Sequence, residues 1–557
     1  MEVSFTCHIP IWEVLRRIMR SKEVASDFLP TSERVPVWLF SATLFLSASL
    51  LFWVQLMVAK IVLPILGGTP AVWNTCMVFF QALLLAGYGY AHWSTKWLGV
   101  RRQAAIHGLL LLAPFFFLPI QRTSHWIPSN AAHPIPWLLG LLLRVVGLPF
   151  FVASTTAPLL QKWFAHTRHA TSTDPYFLYA ASNLGSLFAL LSYPLVIEPW
   201  LRLANQGRLW TIGYALFALL TLACAWLLWR RSIDAVPGSS ADSGKPPIAR
   251  SPFEGLSAVT CTRRLRWALL SFAPSSLMLG VTTYLSTDIA PIPLFWVIPL
   301  GLYLLTFVLV FARRRLVPHA WMVRALPIII LPLAIMTITR ESRPLWWLIP
   351  LHLLTCFVAA MICHGELAKD RPPAPHLTEF YLWMSVGGVL GGLFNALMAP
   401  LMFDAIFEYP LAMFVVCLLR PAPGADDHEL RSHWLDYVLP VALGALVASF
   451  SLALNVLPSP PSEFVKRAVI YGPAALLCYA SRYRPVRFGL GIGAFLFAGL
   501  LSTSTWERTL HMERSFFGAY RILFTLGPDA PYRTTDSNTA PRSTACRVCI
   551  LCDAASR

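Results

Sequence analysis

The chain has 557 residues, 56% hydrophobic and only 13% charged, with a formal net charge of +17. Its mean hydropathy of +0.60 excludes an ordinary soluble domain. Its 21 tryptophans suit a protein with two aromatic membrane interfaces. The basic excess reads as loop charge that sets topology and meets anionic lipid, rather than as a nucleic-acid surface.

Residues 1–36 form a cytoplasmic N-terminal segment. Met1 to Phe5 lack the basic region and small-residue cleavage site of a signal peptide, so entry falls to the first span. Ile11 to Lys22 read either as a short basic amphipathic helix, with Arg16, Arg17 and Arg20 toward headgroups, or as an unstructured leader.

Apolar stretches of spanning length follow at 38–59, 70–93, 104–121, 136–161, 175–197 and 209–229. A hydrophilic linker at 230–264 contains Pro237-Gly238-Ser239-Ser240 and Lys245-Pro246-Pro247. Further stretches lie at 267–287, 291–312, 322–339, 344–363, 377–402, 405–419, 435–456, 465–481 and 485–503. Two of these, 405–419 and 465–481, are short and contain Pro410 and Pro473, so 14 or 15 spans are expected. The fold class is an all-α polytopic membrane protein. Its expected parts are a first six-helix repeat over 37–229, a second over 265–421, and two or three additional helices over 434–503. A remnant segment, 504–557, closes the chain. A cytoplasmic N-terminus places most Lys and Arg inside and leaves few outside, among them Lys60, Arg122, Arg340 and Arg343.

The repeat is written in the fifth and eleventh spans. Gly185-Ser-Leu-Phe188, Pro194-Leu195 and Glu198 correspond at one constant offset to Gly391-Gly-Leu-Phe394, Pro400-Leu401 and Asp404. Six of the first eleven positions are identical, too many in one register for chance leucines to explain. Ala181 and Gly185 match Gly387 and Gly391 as small residues four apart, which lets helix backbones approach closely in lipid. Trp73 of span two corresponds to Trp296 of span eight, each followed by a run of apolar residues. Both copies follow an even number of spans, so the repeat is parallel, as in major facilitator transporters.

Several motifs resemble a bacterial membrane family with a transporter-like membrane domain fused to a spermidine-synthase-like domain. They are Leu63 to Cys76 followed by Phe79 to Leu83, Asp174 to Tyr179, Ser182 to Ser186, Cys363 to Ala368, and Leu377 to Trp383. The resemblance spans roughly 37–521 and implies a bacterial inner-membrane location. It also implies that Glu513 to Arg521 open the soluble domain as its first β-hairpin. Only Gly527 supplies a glycine between 521 and 557, and no apolar run there could form a parallel sheet. The expectation is therefore a member whose enzymatic half is missing, with an out-of-frame tail and no catalytic residue to carry over. Cys546, Cys549 and Cys552 have metal-like spacing but lack a fourth ligand, so neither a metal nor a cofactor is expected.

Polar residues inside spans are costly and supply the candidate chemistry. Glu198 and Asp404 either attract a cation or relay a proton, or sit at the outer surface beside a helix end. Arg144 lies deep in span four and either pairs internally or binds an anionic group. Asn74, Gln81, Asn183 and Asn395 either bond helices together or line a solute path. His364 and Glu366 lie at the cytoplasmic end of span ten, as interfacial hydrogen-bonding groups or a proton or metal site. Three functions follow: transport of a small solute, with a polyamine implied by the resemblance and a cation favoured by the acids; a scaffold for an aminopropyltransferase-like domain; or an inactive product. The lipid bilayer is the expected partner.

Overall fold

The computed structural model describes residues between 37 and 525. It leaves out 67–69, 121–133, 234–258, 290–294, 313–315, 404–405, 423–433, 457–460, 502–506, 516–517 and a few single positions. The N-terminal segment, most of the linker, Asp404 and the cysteine tail of the sequence reading lie outside the described residues.

Fourteen helices are numbered here in chain order. α1 spans Val37–Leu66 and α2 Pro70–Leu110. α3 covers Ile135–Ala165, α4 Phe177–Trp200 and α5 Leu203–Ile233. α6 is Cys261–Tyr284, α7 Val297–Phe311, α8 His319–Ile338 and α9 Leu345–Lys369. α10 covers Ala374–Met402 and α11 Glu408–Leu419. α12 is Leu435–Val456, α13 Glu463–Ala480 and α14 Pro485–Leu501. Strands β1 (Glu507–Ser515) and β2 (Gly518–Thr525) pair antiparallel, with Glu513 opposite Tyr520.

Among the described residues, nine helices are long and apolar enough to cross a bilayer. The 30 residues of α1 reach about 45 Å at 1.5 Å per residue, more than a hydrocarbon core of about 30 Å requires. Spans two and three of the sequence reading form one helical element, α2, kinked at Gly99. Gly99 has φ of 69°, a backbone region that side-chain-bearing residues avoid, so a glycine breaks the axis there. The third span ends sooner than its apolar run. Helix stops at Leu110, and Pro114 enters a short 3₁₀ turn at Ala113–Phe116.

Packing pairs the helices in a repeated pattern. α1 lies along α4, and α6 lies along α10; these are the two most extensive helix contacts. In each pair a glycine lies on a carbonyl of its neighbour. A Cβ on Gly185 would overlap the Phe45 carbonyl, and one on Gly391 would meet the Phe272 carbonyl oxygen at 2.9 Å. Phe45 packs on Phe188 with ring centroids 5.7 Å apart, and Phe272 packs on Phe394 at 6.1 Å. The same spacing separates Phe45 from Phe272 as Ser49 from Ser276. Ser49 Oγ donates to the Gly185 carbonyl at 3.0 Å, while Asn395 Nδ2 donates to Ser276 Oγ at 2.8 Å. α4 and α10 each contain a π-turn, at Tyr193–Ile197 and Phe394–Met398, beside Pro194 and Pro400. Prolines remove a donor from the helical ladder, and the extra residue of a π-turn absorbs that break.

Two further contacts cross between the sets: α4 with α7, and α2 with α10. The last helices join the bundle instead of standing apart. α14 packs on α8, α11 and α12, and Gly489 brings it within 3.0 Å, measured from a built Cβ, of the Leu418 backbone. Arg420 is almost wholly buried; it donates to the Val323 carbonyl at 3.1 Å and to the Arg482 carbonyl, and it stacks over Phe488. Buried Asp436 on α12 holds Arg487 at 2.9 Å and Arg484 at 3.7 Å.

Candidate functional site

Seven helices line a cavity of about 180 Å³. By the volume a buried water needs, that is room for on the order of ten waters or one small solute. α1 contributes Ser47, Phe52 and Gln55, and α2 contributes Phe80, Gln81 and Tyr88. α3 adds Phe150 and Ser154, and α4 adds Tyr179, Ser182, Asn183 and Ser186. The opposite wall comes from Ser271, Ser275 and Met278 of α6, Tyr303 and Phe307 of α7, and Met384, Ser385 and Gly388 of α10. Small residues at helical spacing leave room between closely packed helices, and aromatic rings fill the remaining wall.

The two ends of the cavity are built differently. At one end Trp73 and Trp296, the two tryptophans matched from sequence, pack on each other with ring centroids 3.9 Å apart and planes tilted by 30°. At the other, Tyr179 and Tyr381 meet at 5.0 Å, flanked by Tyr88, Tyr176, Phe307 and Phe311. The Tyr381 hydroxyl donates to Gln161 Oε1 at 2.7 Å, and the Tyr176 hydroxyl to the Pro372 carbonyl at 2.8 Å. Beyond these rings Arg371 pairs with Asp174 at 2.7 Å, and Lys162 Nζ donates to the Pro375 carbonyl at 3.1 Å. His92 Nδ1 lies 3.0 Å from Thr378 Oγ1. An ionic belt surrounds this end, with Arg263 on Asp370 at 2.9 Å, Arg264 on Glu379 at 2.6 Å and Arg266 on Glu366 at 3.0 Å.

Of the residues singled out from sequence, Gln81 and Asn183 line the cavity. Asn183 Nδ2 donates to the Tyr179 carbonyl at 2.8 Å. Gln81 lies against Gly392, where a Cβ would overlap its amide. Asn74 and Asn395 are buried but stand outside the lining, and Asn395 bonds α10 to α6. Glu198 forms an ion pair with Lys60, linking α4 to α1 at the tryptophan end. Arg144 is exposed on the π-turn Leu143–Gly147 of α3. Neither Glu198 nor Arg144 lines the cavity.

His364 and Glu366 go to separate partners. His364 is fully buried, with Nδ1 2.7 Å from Thr306 Oγ1 and its ring stacked on Phe307 at 3.7 Å. Glu366 gathers Arg266, Lys369 at 2.8 Å and His319 at 3.0 Å. Ala181 is half-buried on α4, Gly185 is seated on α1, and a Cβ on Gly387 would overlap the Ala268 carbonyl of α6. Sequence reasoning missed the cavity's tyrosines, Gln55 and the serines of α6. Its nearest signal was the motif Ser182 to Ser186, which reads as family resemblance and not as a lining.

The chain is thus an all-α polytopic membrane protein with a cavity shared by α1–α4 and α6, α7 and α10. No known family profile matches it, and no curated protein does. Among solved structures it is similar to a major facilitator superfamily proton:xylose symporter bound to 6-bromo-6-deoxy-D-glucose. The identity is 13% and the TM-score 0.44, covering 69% of this chain and 94% of that one. It is also similar to a D-xylose-proton symporter at 11% identity and a TM-score of 0.41, over 69% of this chain and 95% of that one.

Proposed function

We propose that this protein is a solute transporter of the major facilitator type in a bacterial inner membrane. Two parallel halves, 37–229 and 265–421, each of six spans when the two arms of α2 about Gly99 are counted separately, rock about the cavity, and the helices of 434–503 ride on the second half. The N-terminus is cytoplasmic in this reading, which puts the Trp73–Trp296 pair outside and the Tyr179–Tyr381 cluster inside. One observation supports the proposal: the cavity is lined from both parts of the chain, by α1–α4 on one side and α6, α7 and α10 on the other. A solute held there contacts both halves at once, as alternating access requires. Gln81 and Asn183 are assigned to the solute path. Glu198, paired with Lys60, is assigned to the outer surface, and Asp404 is assigned there by its place in the repeat.

The test is uptake of a labelled metabolite mixture into proteoliposomes. Saturable accumulation, reduced at least about tenfold by Gln81→Leu with folding intact, is the expected result. Accumulation no greater than in protein-free liposomes sinks the reading.

A second reading, a membrane scaffold for a spermidine-synthase-like domain, has one observation in its favour. The β1–β2 hairpin includes Glu513 and Tyr520, in the segment that resembles the opening hairpin of such domains. On that reading any polyamine chemistry belongs to the soluble domain and nothing is moved across the bilayer.

A further inference from the structure

The cavity's chemistry narrows the solute. None of the described residues lining it is Asp, Glu, Lys, Arg or His, although the chain carries a net charge of +17. The nearby His364 stands behind the lining, covered by Phe307 and turned to Thr306. The charged groups of α6, α9 and α10 are drawn into the ionic belt, each carboxylate already paired. An ion entering this cavity would leave its hydration shell and meet no opposite charge.

The lining does hold unspent hydrogen-bonding capacity. Gln81 Oε1 and the hydroxyls of Ser271 and Ser385 are buried and make no hydrogen bond within the protein. Ser271 and Ser385 are 2% and 8% exposed, on facing turns of α6 and α10, and both line the cavity. Buried polar atoms normally find partners, so three in one small space mark positions where a bound molecule supplies them. Gln81 Oε1 can only accept and asks for a hydroxyl or N–H donor, whereas each serine can donate or accept. The rings of Phe52, Phe150 and Tyr303 offer apolar faces to the rest of the same molecule.

We infer that the cavity takes an uncharged solute with hydroxyl or amide groups on one side and an apolar face on the other, and that it rejects polyamines and other ions. This rests on the transporter reading and deepens it by naming the solute class.

The test needs no identified substrate. Ser385→Cys, a near-isosteric change at a hydroxyl with no partner to lose, places a thiol in the cavity of the full-length protein. It is treated in proteoliposomes with neutral methyl methanethiosulfonate, its cationic trimethylammonium-ethyl analogue and its anionic sulfonatoethyl analogue. Peptide mass mapping reads modification at residue 385 against the native exposed Cys261. The expected result is modification by the neutral reagent, with both ions at least about tenfold slower relative to their rates at Cys261. Ser271→Cys, the second orphan hydroxyl, should repeat the pattern from the adjoining helix α6. An ion that reacts at residue 385 as readily as at Cys261 overturns the neutral-solute assignment while leaving the cavity reading intact. Modification by none of the three reagents at either position removes the accessible cavity, and the transporter reading falls with it.

Discussion

The two ends of the cavity do the same job with unequal means. At the tryptophan end stands one tilted ring pair, Trp73 on Trp296. The tyrosine end is closed by a cluster of rings from α2, α4, α7 and α10, then by Arg371–Asp174 and by backbone carbonyls that accept from Lys162 and Tyr176. A stacked aromatic pair contributes about 0.5–1.5 kcal/mol beyond its burial, and several such pairs with satisfied hydroxyls contribute more. On the transporter reading proposed above, the tyrosine end is the firmer seal and the tryptophan end the side that opens at lower cost.

The comparison can be broken at several strengths. Gly387→Leu should have the largest effect, because its side chain must displace the Ala268 carbonyl of α6 and separate the helix pair that frames both ends. A loss above about 4 kcal/mol is expected, read as failure to recover monodisperse protein by size-exclusion chromatography. Normal recovery would mean that the close approach is not needed. Next, Tyr381→Ala removes a side chain that is 1% exposed together with its bond to Gln161. It should cost about 3–5 kcal/mol and lower the thermal midpoint in detergent; an unchanged midpoint would argue against the seal.

Trp73→Ala should cost only about 1–2 kcal/mol but speed modification of Ser385→Cys by the neutral thiol reagent from the tryptophan side. If the rate rises more in Tyr381→Ala than in Trp73→Ala, the assignment of the weaker end is reversed. Arg371→Ala should have the smallest effect, under about 1 kcal/mol, because the Arg371 and Asp174 side chains are 38% and 54% exposed. Raising salt should shrink it further; a salt-independent loss of several kcal/mol would show that the pair is more than a surface contact.

The sequence disclosed the frame better than the site. Gly185 and Gly391 were legible as close-packing positions because small residues at helical spacing have few other uses in lipid, and both sit on neighbouring carbonyls. Trp73 and Trp296 were legible as a corresponding pair, but not as touching. Corresponding positions meet only where they fall beside the axis that relates the copies, and no single sequence shows where that axis runs. Gln81 and Asn183 line the cavity, whereas Asn74 and Asn395 do not, because an amide's polarity shows neither which way its helix face turns nor whom it bonds. Serines and tyrosines were passed over because in membrane helices they serve equally as packing, interface and lining. The acids drew notice because burying a charge is costly, and for the same reason Glu198 has Lys60 beside it.

The docking of α14 against α8 and α11 has no counterpart in the proposed first half among the described residues. Arg420, Asp436 and their partners tie three extra helices to one side only. If the proposed halves rock, the second, with α12–α14 packed on it, is the heavier body. A fluorophore on α14 would then move with that half in each cycle and report the turnover of the membrane domain.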